Sequence, residues 1–544
     1  MTANASSSSA VAADRRPSVD LSAAGLLPPL PAAFLDGRDL DLLAPLSFAA
    51  SDATQRAVAP DVDREDLARG LAEANDAYGH PAASDLAQRL AAPQTLVVVT
   101  GQQPGLFGGP LYTLTKAVAA SLWAERLTAA GRPAVAVFWI ATEDHDWRES
   151  SWAAFETPEG LLRLDLGEDP APLAPLGMRT LGAEVEPALA RLREAVPGDE
   201  AAARISTLGG RYRPAARFGE AFARLLVDLL GDRCPLLLDS MLPAVKRAEA
   251  PWLERLVERR EEVGDALAAA DRRIVQAGYP LQVEPQPGLS PLFALRGGER
   301  RRVEWNGDGG WLLRGAEGGP RPVAELLETV RENPGVVSPG VLARPLVQDA
   351  ILGTAVQVMG PGEVSYLPQL APLYSLLGVA APLVALRPQA LVLEGHRRDK
   401  LAELPLDLAD LVGPELDLDR ALAGDAPEEI VGPARHGVEQ ALEQLKRRAV
   451  AVDPDLAGPW GKTRGQMEKA LGIFTGKVTA ALARRQEVAR RRAEDLRQAC
   501  RPAGQLQERM LSSFHFAARH GDAFVDALFE QLDLDPRRLQ VVTP

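Results

Sequence analysis

The sequence predicts an α/β protein built on a parallel sheet, with a separate helical hairpin towards the C-terminus. Three observations carry this. Short apolar runs without alternation recur at 95–100, 134–140, 235–239, 354–359 and 382–387, the pattern of strands buried on both faces. A stretch of helical periodicity joins the first two runs, which makes a complete β-α-β unit. Between 425 and 500 the apolar period changes to alternating steps of four and three, the signature of a coiled-coil seam.

Along the chain, residues 1–20 are polar, with no apolar segment of signal-peptide type; they are expected to form a disordered tail. Short helical patterns broken by prolines occupy 21–92. The first strand candidate is TLVVVT (95–100), and GQQPGLFGG (101–109) follows it directly. In PLYTLTKAVAASLWAERLTAAG, Leu114, Val118 and Leu122 lie four apart and predict one apolar helix stripe. Pro110 suits the helix start and Gly131 its stop. AVAVFWI (134–140) then returns beside the first strand, parallel to it, through a right-handed crossover. PLLLD (235–239), TAVQVM (354–359) and PLVALR (382–387) extend one doubly wound sheet. Residues 155–230 and 270–335 interrupt that sheet, and NGDGG in the second interruption reads as a hairpin turn. Val438, Leu442, Leu445, Ala449 and Val452 form one seam; Met467, Leu471, Phe474, Val478 and Ala481 form another after DPDLAGPWGK. Together they predict an antiparallel helical hairpin that projects from the body.

Composition narrows the function. Sixty basic and 74 acidic residues give a net charge of −14, which speaks against a dedicated nucleic-acid binder. The run ARRQEVARRRAEDLRQACR is interspersed with Glu487, Glu494 and Asp495 and reads as a solvated helix face. Cys234 and Cys500 are the only cysteines; both look structural, and such low usage fits a reducing compartment. No run of 18 apolar residues is present, so no membrane span and a cytoplasmic location are expected.

Ligands of open α/β sheets sit outside the carboxyl ends of the strands. Gly101, Gly105, Gly108 and Gly109 follow the first strand, where backbone N–H groups and a helix N-terminus would suit an anion. The plain alternative is that the glycines only permit tight strand-to-helix packing. The stretch is neither a Walker A loop nor a G-x-G-x-x-G fingerprint. Lys116, two turns into the helix, is placed to swing its charge back to the loop, and Gln102 and Gln103 can donate and accept hydrogen bonds. The second strand ends in FWIATEDHDWRES. Glu143, Asp144, His145 and Asp146 should therefore face the glycine loop across one crevice. His145 is the candidate general base, its imidazole held by Asp144 or Asp146. The same carboxylates suit Mg²⁺ beside phosphates, and a solvated acidic turn is the plain reading. Asp239 ends the third strand and would bind a ligand or cap the next helix. Gly360, Gly362 and Glu363 end the fourth strand, where a ribose or other hydroxyls would fit. Upstream, Arg344 and Gln348 share a helix face beside Asp349; Arg344 suits a carboxylate or phosphate, or else a surface ion pair.

TGQQPGLFGGPLYTLTK, FWIATEDHD, RPLVQD, MGPGEVSY, PAGQLQER and HFAARHGDAFVDAL occur in that order. From about residue 25 to the C-terminus they resemble the cysteine ligases of bacillithiol biosynthesis. The resemblance implies a Rossmann-like core similar to class I aminoacyl-tRNA synthetases, two connecting-peptide insertions and a coiled coil that mediates dimerisation. On this division 1–20 is the tail, and 21–154, 231–269 and 336–424 form the core. Residues 155–230 and 270–335 are then the insertions, 425–500 the coiled-coil hairpin, and 501–544 a C-terminal segment packed on the core. The implied reaction joins L-cysteine to the amino group of glucosaminyl-malate, in a homodimer. The resemblance makes the Gly101–Gly109 loop with Tyr112, Lys116, the Glu143–Asp146 cluster and the Gly360–Glu363 turn the ligand crevice. ATP, with Mg²⁺ as an open accompaniment, would activate the cysteine carboxylate, its phosphates lying over the glycine loop. Lys116 would stabilise developing negative charge, and Arg344 would grip the malate carboxylates. Two readings from other classes stand beside this one: a non-catalytic dimeric scaffold, and a metal-dependent phosphohydrolase using the Glu143–Asp146 cluster.

Overall fold

Six short runs build the central sheet of this computed structural model, which describes residues 17–49, 55, 57–286, 288–307, 309–423, 426–485 and 487–544. They are β1 (Ser47–Ala49), β2 (Leu96–Gln102), β3 (Ala134–Ile140), β4 (Leu236–Asp239), β5 (Thr354–Met359) and β6 (Leu383–Leu386). The order is β1-β6-β5-β2-β3-β4, and every neighbouring pair is parallel. All five predicted strands are present. β1 was not singled out, because three residues, SFA, carry too little pattern. Val97, Val98 and Val99 of β2, and Val137 to Ile140 of β3, have no exposed surface, as a sheet covered on both faces requires. The chain moves from β2 to β3 and β4 on one side and later adds β5 and β6 on the other, where β1, the first strand of the sheet in the chain, forms the edge. The order therefore reverses between β2 and β5, which is where such sheets open a crevice.

α1 (Leu111–Ala129) connects β2 to β3. It is buried on most of its surface, Thr113, Thr115 and Lys116 included, and does not show the single apolar stripe expected. α2 (Pro243–Glu258) follows β4, α3 (Arg344–Leu352) precedes β5, and α4 (Pro361–Leu370) follows it. The first interruption holds an antiparallel pair, Trp152–Thr157 with Gly160–Asp165, and three helices between Val185 and Leu230. The second holds four strands of a five-stranded antiparallel sheet, among them Leu289–Arg296, Glu299–Trp305 and Gly310–Leu313, and Val337–Pro339 just beyond it is the fifth. Trp311 pairs with Trp305 across the predicted turn.

The chain divides into two compact units, Met1–Val392 with Gln505–Pro544, and Leu393–Gly504. The sequence reading put the boundary at 425, inside the second unit. In the first unit a small sheet joins three distant strands in the order Ser18–Asp20, Arg538–Val542, Gln389–Val392. Residues 18–20 are thus a paired strand and not tail as expected; residues 1–16 lie outside the described residues. Beside this sheet the Gln507 amide bridges the backbone of Val392, accepting its N–H at 2.8 Å and donating to its carbonyl at 2.9 Å.

The second unit contains α5 (Ala426–Val452), α6 (Ala457–Arg485) and α7 (Glu487–Cys500). Arg435 donates to Thr475 Oγ1 at 3.1 Å and Trp460 to the Leu442 carbonyl at 3.3 Å. These pairings run in opposite senses along α5 and α6, as in the predicted antiparallel hairpin. Only part of each seam is covered within the chain. Leu442 is buried, whereas Leu445, Val452, Met467 and Phe474 are exposed.

Candidate functional site

The carboxyl ends of β2, β3 and β5 open into a cavity of about 650 Å³. From β2 come Gly101, Gln102 and Gln103. A Cβ at Gly101 would lie 2.9 Å from the Trp139 carbonyl oxygen on β3, so the two strands approach this closely only with glycine here. Lys116 reaches back from α1, as expected. Its buried Nζ lies 2.9 Å from the Gly101 carbonyl, 3.0 Å from Gln102 Oε1 and 2.5 Å from Glu363 Oε2. Burial lowers the Lys116 pKa, and the Glu363 charge opposes this. Burial likewise pushes the Glu363 carboxyl up, but Lys116 and Arg344 outweigh it and hold the group below its usual range. Tyr112 also lines the cavity, with the Arg387 guanidinium 5.6 Å from its ring centre.

The rest of the glycine loop turns away, and Gly105, Gly108 and Gly109 do not line the cavity. The Tyr212 hydroxyl donates to the Gly105 carbonyl at 3.1 Å, and Ser513 N–H donates to the Gly109 carbonyl at 2.7 Å. A Cβ on Gly105 would sit 2.6 Å from Gly109 Cα. At the start of α1, Leu111 N–H already donates to the Leu511 carbonyl at 2.8 Å. The expected phosphate cradle is therefore not formed by these three glycines. Their packing is the plain alternative, and Gly101 alone keeps a place at the cavity.

From β3 come Glu143, Asp144 and His145. Asp144 Oδ2 accepts from Gln103 Nε2 at 2.6 Å, while Oδ1 accepts the backbone N–H of His145 at 2.6 Å and of Asp146 at 3.2 Å. Asp146 does not line the cavity; it caps a short helix by accepting Glu149 N–H at 3.0 Å. Neither carboxylate holds the imidazole, contrary to expectation. His145 Nδ1 instead lies 3.5 Å from Arg300 Nη1. Burial first, and then the Arg300 charge, lower the His145 pKa. Glu143 pairs with Lys246 of α2, whose Nζ also lies 2.7 Å from Glu249 Oε2. The side chains of the acidic cluster thus diverge to different partners. Among the described residues no three His, Cys, Asp or Glu side chains converge as a metal site would need.

From the β5 side, Gly360, Gly362 and Glu363 line the cavity, and Gly360 N–H donates to Glu363 Oε2 at 2.8 Å. Arg344 lines it too and is no surface ion pair. Its guanidinium donates to Gln348 Oε1 at 3.0 Å and to the Tyr366 hydroxyl at 3.1 Å, and lies 3.9 Å from Glu363 Oε1. Gln348 and Asp349 stand behind it, buried and away from the cavity. Asp349 accepts from the Tyr374 hydroxyl at 2.6 Å, and burial pushes its pKa up to about 6. Asp239 is also outside the lining. It accepts from Thr142 Oγ1 and from Met241 N–H in the turn ahead of α2, whose start at Leu242 has no side-chain cap, so Asp239 neither lines the cavity nor caps that helix.

Several lining residues escaped the sequence reading. Arg300 and Arg302 arrive from the antiparallel sheet with Phe293, and the Arg300 guanidinium stands 3.9 Å from the Phe293 ring centre. Burial lowers the Arg300 pKa to about 10. The alternation in ERRRVEW puts Arg300 and Arg302 on one strand face, a signal available in the sequence but without a destination. Arg387, just past β6, forms a two-pronged pair with Glu508 at 2.7 and 2.9 Å. Arg509 lies next along the chain and also lines the cavity. Arg300, Arg302, Arg344, Arg387, Arg509 and Lys116 thus face Glu143, Asp144, Glu149 and Glu363 around one space. A cationic majority with an acidic wall suits a ligand carrying carboxylates or phosphates together with an ammonium group.

The profile of the family described as "Bacillithiol biosynthesis BshC, N-terminal Rossmann-like domain" matches residues 47–388. That of "Bacillithiol biosynthesis BshC, C-terminal coiled-coil domain" matches residues 390–543. Similar proteins bear the name "Putative cysteine ligase BshC". One from Salinibacter ruber is 31% identical over 492 residues, covering 88% of this chain and 89% of its own. Another from Solibacter usitatus is 31% identical over 455 residues, covering 82% and 84%. A third from Heliobacterium modesticaldum is 30% identical over 469 residues, covering 82% and 83%.

Proposed function

The chain belongs to the BshC family of bacillithiol biosynthesis, and from that premise we propose that it joins L-cysteine to the amino group of glucosaminyl-malate through an amide bond. The single observation that carries this reading is the convergence on one cavity of arginines from α3, the antiparallel sheet and the β6 end with carboxylates from the β3 and β5 ends. Malate brings two carboxylates, and Arg344, Arg300 and Arg302 are planar cations suited to hold them. Cysteine and the aminosugar bring ammonium groups, for which Glu143, Asp144 and Glu149 provide the negative wall. Lys116 ties the Gly101 carbonyl and the Gln102 side chain to Glu363 and so keeps the β2 and β5 ends in register.

A free carboxylate does not react with an amine in water at neutral pH, so the reading includes ATP, with Mg²⁺, as the source of carboxylate activation. The residues fit such a group in one respect. Phosphate charge would meet the arginines, because Gly105, Gly108 and Gly109 are engaged elsewhere. We assign 155–230 and 270–335 to the two connecting-peptide insertions of the synthetase-like plan. The exposed seam residues of the second unit, Phe474 and Met467 among them, support a homodimer formed through the coiled coil. Among the described residues no helix is long and apolar enough to cross a membrane. The diverging acidic cluster gives the phosphohydrolase reading no support, and a scaffold has no use for the charged cavity.

The test is direct. Purified protein is mixed with glucosaminyl-malate, cysteine and ATP, and the mixture is read by mass spectrometry. The expected result is the cysteinyl thiol product together with AMP or ADP, the nucleotide identifying an adenylate or an acyl phosphate. A folded protein that forms no product overturns the reading.

A further inference from the structure

Lys246 lies behind the cavity wall between two carboxylates. Its ammonium meets Glu143 Oε1 on one side and stands 2.7 Å from Glu249 Oε2 on the other. The three side chains are 5%, 8% and 0% exposed for Lys246, Glu143 and Glu249 respectively. Isolated charges this dry would neutralise; burial pushes the Lys246 pKa down and the Glu249 pKa up, and the attraction between the two opposes both shifts. Only Glu143 of the three lines the cavity. Ser240 Oγ accepts the Glu143 backbone N–H at 3.2 Å, which fixes where that carboxylate leaves β3.

His145, the only imidazole lining the cavity, faces a different partner. Its Nδ1 lies 3.5 Å from Arg300 Nη1. Arg300 is itself fixed, donating Nε to Ser338 Oγ at 3.0 Å and Nη2 to the Pro339 carbonyl at 3.0 Å. A guanidinium only donates, so the imidazole nitrogen beside it accepts. The neutral ring then carries its proton on Nε2, which is a donor and not a base. Protonating Nδ1 would set two cationic groups against each other, and burial with the Arg300 charge lowers the pKa in the same sense.

We propose that Glu143 is the group that takes the proton from the attacking amine, that Lys246 is the positioning residue that keeps Glu143 ionised, and that His145 serves as a hydrogen-bond donor through Nε2. This rests on the reading that amide formation takes place in this cavity. The substrate ammonium gives one proton to the Glu143 carboxylate. The freed nitrogen lone pair attacks the activated acyl carbon, and the new C–N bond forms. The acyl–oxygen bond to the leaving phosphoryl group breaks, its electron pair departing on that oxygen. The second N–H proton passes to solvent, and Glu143 returns its own when product leaves. His145 Nε2–H is placed to donate to the acyl oxygen as its negative charge grows. The charged group in contact with Glu143 is Lys246, which favours the ionised form; Glu249 shares that ammonium, and Asp144 and His145 follow Glu143 in the chain and line the same cavity. Arg300, from the antiparallel sheet, acts on Lys246 and Glu249.

The experiment compares kcat and KM against pH for the wild type, Lys246→Met and His145→Gln. Loss of the Lys246 charge disfavours the ionised carboxylate, so the acid limb of kcat moves to higher pH by at least about one unit while KM for the amine substrate holds. His145→Gln keeps an amide N–H donor and cannot act as a base, so it lowers kcat by less than about 10-fold and leaves that limb in place. The reverse pattern, with His145→Gln abolishing the limb and Lys246→Met leaving it unmoved, overturns the proposal. If Lys246→Met does not fold, Lys246→Gln takes its place. A wild type without turnover would sink the ligase reading alone. The Glu143 titration is then followed by ¹³C-carboxyl difference spectra against Glu143→Gln. An upward move in the Lys246 variant upholds the assignment of Lys246, and an unmoved carboxylate overturns it.

Discussion

Replacing Glu508 by glutamine should destabilise the first unit by about 3–5 kcal/mol, the cost of breaking one side of a buried ion pair. Arg387 and Glu508 are 2% and 0% exposed as side chains. Their two contacts measure 2.7 and 2.9 Å, and Glu508 Oε2 also accepts Ala390 N–H at 3.2 Å. Glutamine keeps the shape and loses the charge. It leaves the Arg387 guanidinium uncompensated in a dry site and turns an amide N–H₂ towards its donors. The cost is therefore desolvation left unrepaid, and it should vanish when both charges go together. The double variant Arg387→Met, Glu508→Leu should recover most of the lost stability. Urea unfolding read by tryptophan fluorescence measures both, fitted as a separate transition for each unit because the chain has two. A Glu508→Gln protein within about 1 kcal/mol of wild type, the range of an exposed pair, would refute the reasoning. A double variant as unstable as the single would refute it too. Arg387 also lines the cavity beside Tyr112, so the single variant should raise KM for glucosaminyl-malate as well.

Gly101→Ala places a Cβ 2.9 Å from the Trp139 carbonyl and should cost about 1–3 kcal/mol in the same unfolding assay. Asp349, with its pKa raised to about 6 from 3.8, binds its proton more tightly folded than unfolded. Its contribution is thus full below about pH 4 and lost as pH rises through about 6. The span is about 3 kcal/mol, and Asp349→Asn should flatten that part of the stability-against-pH curve. Phe474→Glu puts charge on the exposed seam of α6; sedimentation should show the wild type as a dimer and the variant as a monomer, and a dimeric variant would rule out that seam as the interface.

The sheet was legible because burial on both faces demands continuous apolar runs, and β2 to β6 have them. The residues immediately after those strands were legible for the same reason. Topology alone sends Gly101, Gln103, His145 and Gly360 to one end of the sheet. What the sequence did not disclose was the company these residues keep. Tyr212 and Ser513 claim the glycine loop from far along the chain, so three glycines that suit an anion equally suit a tight fold. Arg300 and Lys246 come to the β3 end from other elements, and no local spacing announces a contact made in space. The His145 assignment shows the cost. The Asp144 and Asp146 beside it in sequence bond to backbone, and the partner that sets its tautomer is an arginine of another sheet.

The Gln507 clasp on Val392 has a topological consequence. The chain departs from the first unit after Val392 and rejoins it at Gln505, and the two ends are held side by side by the Gln507 amide and, next to it, by Glu508 on Arg387 and Ala390 N–H. The 112 residues between Leu393 and Gly504 form a cassette spliced into what would otherwise be a short turn. Such an insertion leaves the sheet order of its host untouched and adds only the slowly growing entropy of a longer loop. An engineer could therefore close that turn with a few residues and leave every strand of the first unit threaded as it is.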